Sequence, residues 1–341
     1  MIQFGSRRLE LKYTWTISRN SSDYKENIFI TLERDGIRGY GEAAPNTRYG
    51  EDGEKTASRL DSIRETVESY DWLHYRDVKI AVDQIILDQS CARCALDVAL
   101  MDWVGKKLGL PLYRLFGLDK SKVPHTSFSI GIDSPEAIRT KVGEAKSYPV
   151  LKVKLGSDRD DEIIEAVRAV TGKPLRIDAN EGWKTREEAL DKIRWLQGVG
   201  VELIEQPMPA EQIEDARWLR RRVDLPIVAD ESVKTAADIP RLAGAYDGIN
   251  IKLMKAGGIQ PAWTMIQMAR EMRLKIMLGC MIESSVAIAA AAHLAPLADW
   301  VDLDGNLLIS NDPFTGIEAI NGKILLNDRS GLGVQPAAES A

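Results

Sequence analysis

Cysteine and histidine are scarce in this chain of 341 residues, with three of each. Cys91, Cys94 and Cys280 are too few for a disulfide framework and fit a reducing compartment. Cys91 and Cys94 form a C-x-x-C, but inside a helical pattern. Without the strand-then-helix setting of a thioredoxin-like site, they read as two buried small residues. His74, His125 and His293 lie far apart and share no ligand spacing, which argues against a zinc site of His and Cys. Long apolar runs are missing as well. The Ala-rich stretch from Val286 to Ala292 is too short to span a bilayer, and the opening MIQFGSRRLELKYTW has no apolar signal core. There is no basic block either: 45 Lys+Arg stand against 51 Asp+Glu, a formal charge of -6, which gives no nucleic-acid footprint. The expectation is a cytoplasmic protein with neither membrane nor nucleic-acid partners. Any metal has to be held by carboxylates, which points to Mg2+ or Mn2+.

What is present is an ordinary globular balance, 44% hydrophobic and 28% charged, in a length that suits about two domains. Residues 7–15, 26–33 and 37–42 read as strands, with Arg34-Asp35-Gly36 as a hairpin turn. Residues 45–53 read as a loop. Residues 54–68 and 81–106 carry helical periodicity, with Ile85, Cys91, Ala95, Val98 and Trp103 as core positions. Residues 1–120 therefore read as a small α+β domain.

Beyond Pro124 the pattern changes. Apolar segments at 127–131, 151–155, 175–178, 201–205, 227–230, 249–253, 275–279 and 300–303 alternate with amphipathic stretches of helical length. Ser134-Pro135 and the capping-box pattern Thr185-x-x-Glu188 mark helix starts. No glycine-rich phosphate loop accompanies the first strands, which disfavours an open doubly wound sheet. The reading is a modified TIM barrel, (β/α)7β, over residues 121–314, with residues 315–341 packing back on the N-terminal domain.

Charged residues recur at the ends of these strands: Lys152 and Lys154, then Asp178, Glu205, Asp230 and Lys252, with Asp302 and Asp304 at the last. The steps from Lys154 to Lys252 are 24, 27, 25 and 22 residues. Residues i and i+2 of a strand share a face, so Lys152 and Lys154 point together into the barrel mouth. Asp178, Glu205 and Asp230 sit on adjacent strands and can converge on one hard cation. Lys154 and Lys252 approach from opposite sides of the ring. Two bases flanking a carbon beside a metal-bound carboxylate suit proton transfer alpha to that carboxylate, through a metal-stabilised enediolate. Inert charge pairs in a non-catalytic barrel are the contrasting possibility.

The segments LKVKLG at 151–156, RIDAN at 176–180, ELIEQP at 202–207, VADES at 228–232 and NIKLMKAGG at 250–258 resemble the enolase superfamily, in its muconate-lactonizing-enzyme-like branch. That resemblance implies Asp178, Glu205 and Asp230 as ligands of one Mg2+ per subunit, and Lys154 and Lys252 as the acid/base pair. Lys255 is the competing choice for the second base. The finer resemblance is to dipeptide epimerases of the L-Ala-D/L-Glu group. It implies that Asp302 and Asp304 bind the ammonium of a small dipeptide and that Arg19 meets a glutamate side chain, with Lys152 also counted among the substrate-binding residues. Tyr49 and Gly50 would help close the site, while Met281, Ile282, Glu283 and Ser284 would shape the pocket for the first residue. It further implies a homo-oligomer and a role in recycling muropeptides of the cell wall. o-Succinylbenzoate synthase, N-acylamino acid racemase and muconate cycloisomerase share the lysines and metal site but do not need the D-x-D.

Overall fold

The computed structural model describes residues 1–338. Alternating apolar positions make β1 (Ile2–Thr16), β2 (Ser21–Arg34) and β3 (Ile37–Ala43), which pair as an antiparallel meander. Asp35 and Gly36 form the β2–β3 turn with φ of 55° and 72°, the geometry a two-residue hairpin favours. A short 3-10 turn, Thr47–Tyr49, interrupts the loop that follows.

Helices α1 (Gly53–Ser62), α2 (Arg64–Ser69), α3 (Tyr75–Ile85) and α4 (Ser90–Leu108) come next. The expected helices at 54–68 and 81–106 are thus each divided. The second breaks at Ile86–Gln89, where Ile86 is extended. Ile85, an expected core residue, is 37% exposed at the end of α3, while Cys91, Ala95, Val98 and Trp103 are buried on α4. Periodicity carries across such a break because it registers faces, not chain direction. Gly39 and Gly41 let α4 lie on β3: a Cβ there would come within 2.1 Å of Ala99 O and 2.0 Å of Ala95 O.

The eight later segments form one parallel sheet: β4 (Phe128–Ile130), β5 (Leu151–Lys154), β6 (Leu175–Asp178), β7 (Val201–Glu205), β8 (Ile227–Ala229), β9 (Gly248–Lys252), β10 (Lys275–Gly279) and β11 (Trp300–Asp302). They neighbour one another in chain order, and a parallel Thr126–Val301 bridge brings β11 back beside β4. The Ser127 N–H donates to Val301 O at 3.1 Å on the same seam. The architecture is a modified TIM barrel behind a capping α+β layer. Helices cross between successive strands, and their starts follow the sequence signals. Ser134 caps Pro135–Glu144, and Thr185 caps Arg186–Gln197 through the Glu188 N–H. The return arm of the Thr185 box differs: the Glu188 carboxylate accepts from Lys184 N–H at 2.8 Å.

Phe314 and Leu332, both beyond β11, touch the cap. Phe314 packs on Phe29 and Tyr40, and the Leu332 N–H donates to the buried Asp102 of α4 at 2.7 Å. His293 is buried here. Its Nδ1 accepts from Tyr113 N–H at 3.1 Å, and burial lowers its pKa to about 4, so it stays neutral. Among the described residues no helix is long and apolar enough to cross a membrane.

Candidate active site

A cavity of about 470 Å3 opens at the C-terminal ends of the barrel strands, roofed by the β1–β2 loop and the loop after β3. This is where parallel barrels place their chemistry. Asp178 ends β6, Glu205 ends β7, and Asp230 follows β8 by one residue. All three are buried, and one oxygen of each lies within 4.8 Å of the others.

The surrounding protein fixes these carboxylates. Asp178 accepts from the Asn180 N–H at 2.9 Å, and Glu205 from Asn250 Nδ2 at 2.7 Å. Asp230 accepts from Lys255 at 2.5 Å. Asn180, Glu181 and Gln206, in the turns just past β6 and β7, all take positive φ (44°, 65° and 34°). Such backbone persists where surrounding structure holds it, and it gathers at functional sites.

The lysines divide by position. Lys152 reaches Glu205 and Asp302 at 2.7 Å each and Asp178 at 3.1 Å. Lys154 lies 2.6 Å from Asp178, and Lys252 lies 2.9 Å from Asp230. Both line the cavity, on strands four apart in the ring of eight. Lys255 does not line it. Its ammonium turns to the far oxygen of Asp230 and is also held by the carbonyls of Asp230 and Asn250, at 2.6 and 3.2 Å. Of the two candidates for a second base, Lys252 thus faces the cavity and Lys255 does not.

Burial opposes the charge on Lys152 and Lys252, but the facing carboxylates, Asp302 for the first and Asp230 for the second, carry both pKa values well up. Burial also opposes ionisation of Asp178 and Asp230, yet the lysines hold both below the usual range. Glu205 is the exception: burial and the charge of Asp178 raise it. Its Oε2 makes no hydrogen bond of proper geometry despite the nearby Lys152. Three buried hard-oxygen donors with one under-satisfied atom match a hard divalent cation.

Asp302 accepts from Ser127 Oγ at 2.7 Å besides pairing with Lys152. Asp304 accepts the Ser129 N–H at 2.6 Å, and burial together with Asp302 raises its pKa to about 7. Gly305 allows this turn to approach the next: a Cβ there would lie 2.5 Å from Met281 O. Met281 and Ile282 line the same end of the cavity, and Tyr49 lines its roof. Glu283 and Ser284 are not among the residues lining the cavity. Ser284 N–H and Oγ donate to the buried Glu42 of β3, and the Glu283 carboxylate turns back on Met281 N–H.

Arg19 reaches the cavity but is already engaged, with Glu181 at 2.9 Å and Glu231 at 2.8 Å. Arg48 joins it, forming a fork on Glu181 with bonds of 2.9 and 2.8 Å. Arg48, Lys25 and Glu231 are charged lining residues that the sequence reading passed over. Glu231 follows a metal-site aspartate directly, but no spacing points to Arg48 or Lys25.

Two families match this chain: "Enolase C-terminal domain-like" over residues 136–341, and "Mandelate racemase / muconate lactonizing enzyme, N-terminal domain" over residues 6–117. The chain belongs to the enolase superfamily. It is 45% identical to an L-Ala-D/L-Glu epimerase of Bacteroides thetaiotaomicron over 97% of its own length and 86% of that protein's. It is also 45% identical to an L-Ala-D/L-amino acid epimerase of Pedosphaera parvula, covering 94% of each. Its structure superposes with a TM-score of 0.92, at 31% identity and 98% coverage of both chains, on a dipeptide epimerase of Enterococcus faecalis complexed with Mg and L-Leu-L-Tyr. In this superfamily member Asp178, Glu205 and Asp230 form a divalent-metal-binding triad.

Proposed function

We propose that this superfamily member is a Mg2+-dependent dipeptide epimerase, with L-Ala-D/L-Glu as its leading substrate. The carrying observation is the placement of Lys154 and Lys252 on strands four apart, each against an outer member of the acidic triad. A substrate α carbon between them presents one face to each lysine.

When bound, the cation supplies positive charge beside the substrate carboxylate, where negative charge develops as the α proton leaves. Lys154 and Lys252 do the proton work. The deprotonated lysine on one face takes the α proton, and the ammonium on the other returns one, which inverts that carbon. Asp178 and Asp230 hold the two amines in place. Lys152 keeps Asp302 and Glu205 from facing each other uncompensated.

At the other end, Asp304 has no cation of its own among the described residues, and an ammonium from the substrate's first residue supplies the missing charge beside Asp302. Met281 and Ile282 contact that residue's side chain. Tyr49 roofs the site, and the Arg48–Glu181 fork fastens its loop, excluding water during transfer. Arg19, which the resemblance casts against a glutamate side chain, stands at this end of the cavity on Glu181 and Glu231. The cytoplasmic recycling of cell-wall peptides goes with this substrate.

Broader acceptance of L-Ala-D/L-amino acids is the second reading, supported by the 45% identical Pedosphaera relative. A panel of L,L-dipeptides with Mg2+ in deuterated water tests both. Mass gain at the second residue's α carbon is the expected result. A clear preference for Glu supports the narrower reading and equal rates across side chains the broader one. No exchange with any dipeptide contradicts both.

A further inference from the structure

Six cationic side chains line the cavity: Arg19, Lys25, Arg48, Lys152, Lys154 and Lys252. Five of them are paired with carboxylates of the protein. Arg19 and Arg48 share Glu181, Lys152 and Lys154 meet Asp178, and Lys252 meets Asp230. Lys25 differs. Its ammonium makes no ion pair or hydrogen bond with any described residue. Burial alone acts on it, and burial lowers its pKa with no charged neighbour contributing.

Lys25 lies on β2, two residues from Asn27, so the two side chains share a face. Asn27 also lines the cavity, and its amide donates to Ile282 O at 3.1 Å. That face of the cap looks down on the barrel mouth. A half-buried lysine there loses hydration without receiving a counter-charge.

The following rests on the epimerase reading. An L-Ala-Glu dipeptide carries three charges. The α-carboxylate belongs at the metal triad and the ammonium at Asp304. The side-chain carboxylate is the one substrate charge left over, and Lys25 is the one cavity cation left over among the described residues. Arg19 could take that carboxylate only by giving up Glu181 or Glu231. We propose that Lys25 receives the side-chain carboxylate of the dipeptide's second residue and thereby selects an acidic residue there.

The test is the ratio of kcat/KM for L-Ala-L-Glu over L-Ala-L-Gln, measured in the wild type, Lys25→Met, Lys25→Arg and Arg19→Met. A hydrogen bond to a charged group gives a preference of about 10- to 100-fold. Lys25→Met is expected to lose most of that preference, with L-Ala-L-Gln turnover falling far less, and Lys25→Arg to restore it. An unchanged ratio, or an equal fall for both substrates, overturns the assignment while leaving the epimerase reading standing. A collapse in Arg19→Met but not in Lys25→Met gives the role to Arg19 and overturns it too. If the wild type exchanges the α proton of no dipeptide, the epimerase reading fails and this inference with it.

Discussion

The two sides of the barrel mouth are built differently. From β5 to β9, Lys152, Lys154, Asp178, Glu205, Asp230 and Lys252 stand on the strands or one residue past them, are buried, and contact a partner within 3.1 Å. On the side formed by the cap, the loop after β10 and the turn after β11, the lining comes mostly from loops. Arg19, in the β1–β2 loop, is 30% exposed there, and Lys25, on β2, has no partner among the described residues. Strand ends are rigid, and proton transfer tolerates little misplacement. Loops vary without disturbing the barrel, so they suit the selection of side chains. On the proposed function, the chemistry and the choice of substrate therefore fall to separable parts of the molecule.

Removing the cation should break the strand side alone. A chelator, or Asp230→Asn, is expected to lower epimerisation by about 10^3-fold or more, since a Lewis acid contributes several kcal/mol. Mg2+ should raise the melting temperature of the wild type and not of that variant, as linkage requires. A melting shift retained in Asp230→Asn would remove that residue from the metal site.

The two lysines on Asp230 sharpen the contrast within the strand side. Lys255→Met breaks a fully buried pair and should cost about 3–5 kcal/mol of stability in the metal-free protein, read by urea unfolding. Lys252→Met should cost activity far more than stability. The reverse pattern would make Lys255 the base.

A seam between cap and barrel should respond to pH. Burial raises Glu42 to about 7, and burial with the charge of Glu42 raises Glu283 to about 8. Both values lie above those of the unfolded chain. Their stabilisation is therefore complete below about pH 4.5 and is lost as pH rises through about 7 to 8. For Glu42 the loss amounts to about 3 kcal/mol. Melting temperatures across pH 5–9 should fall, and Glu42→Gln or Glu283→Gln should flatten the slope.

The smallest effect belongs to the roof. Arg48→Ala frees the Tyr49 loop from a half-exposed ion pair worth about 1 kcal/mol. KM should rise a few-fold with kcat nearly unchanged. A large loss of kcat would place the loop in the chemistry itself.

The strand side was legible because barrel strands repeat at a near-constant interval, so Asp178, Glu205 and Asp230 announce themselves by spacing. The period-2 rule likewise put Lys152 and Lys154 on one face. The roof was not legible. Arg48 meets Glu181 across 133 residues, and no local pattern encodes that distance. Lys25 sits in a polar, exposed-looking strand whose inward face is set only by docking of the cap. The break between α3 and α4 escaped for a related reason, since both helices continue one apolar stripe. Arg19 was visible as a residue, but its two glutamates were not.

The central claim is that Lys154 and Lys252 act on opposite faces of one carbon. Its most direct test is deuterium exchange of L-Ala-L-Glu and L-Ala-D-Glu, separately, by Lys154→Met and Lys252→Met with Mg2+. The two-base geometry predicts that neither variant interconverts the epimers, and that each still exchanges the α proton of one epimer, a different one for each variant. Interconversion by either variant, or exchange of the same epimer by both, would contradict it.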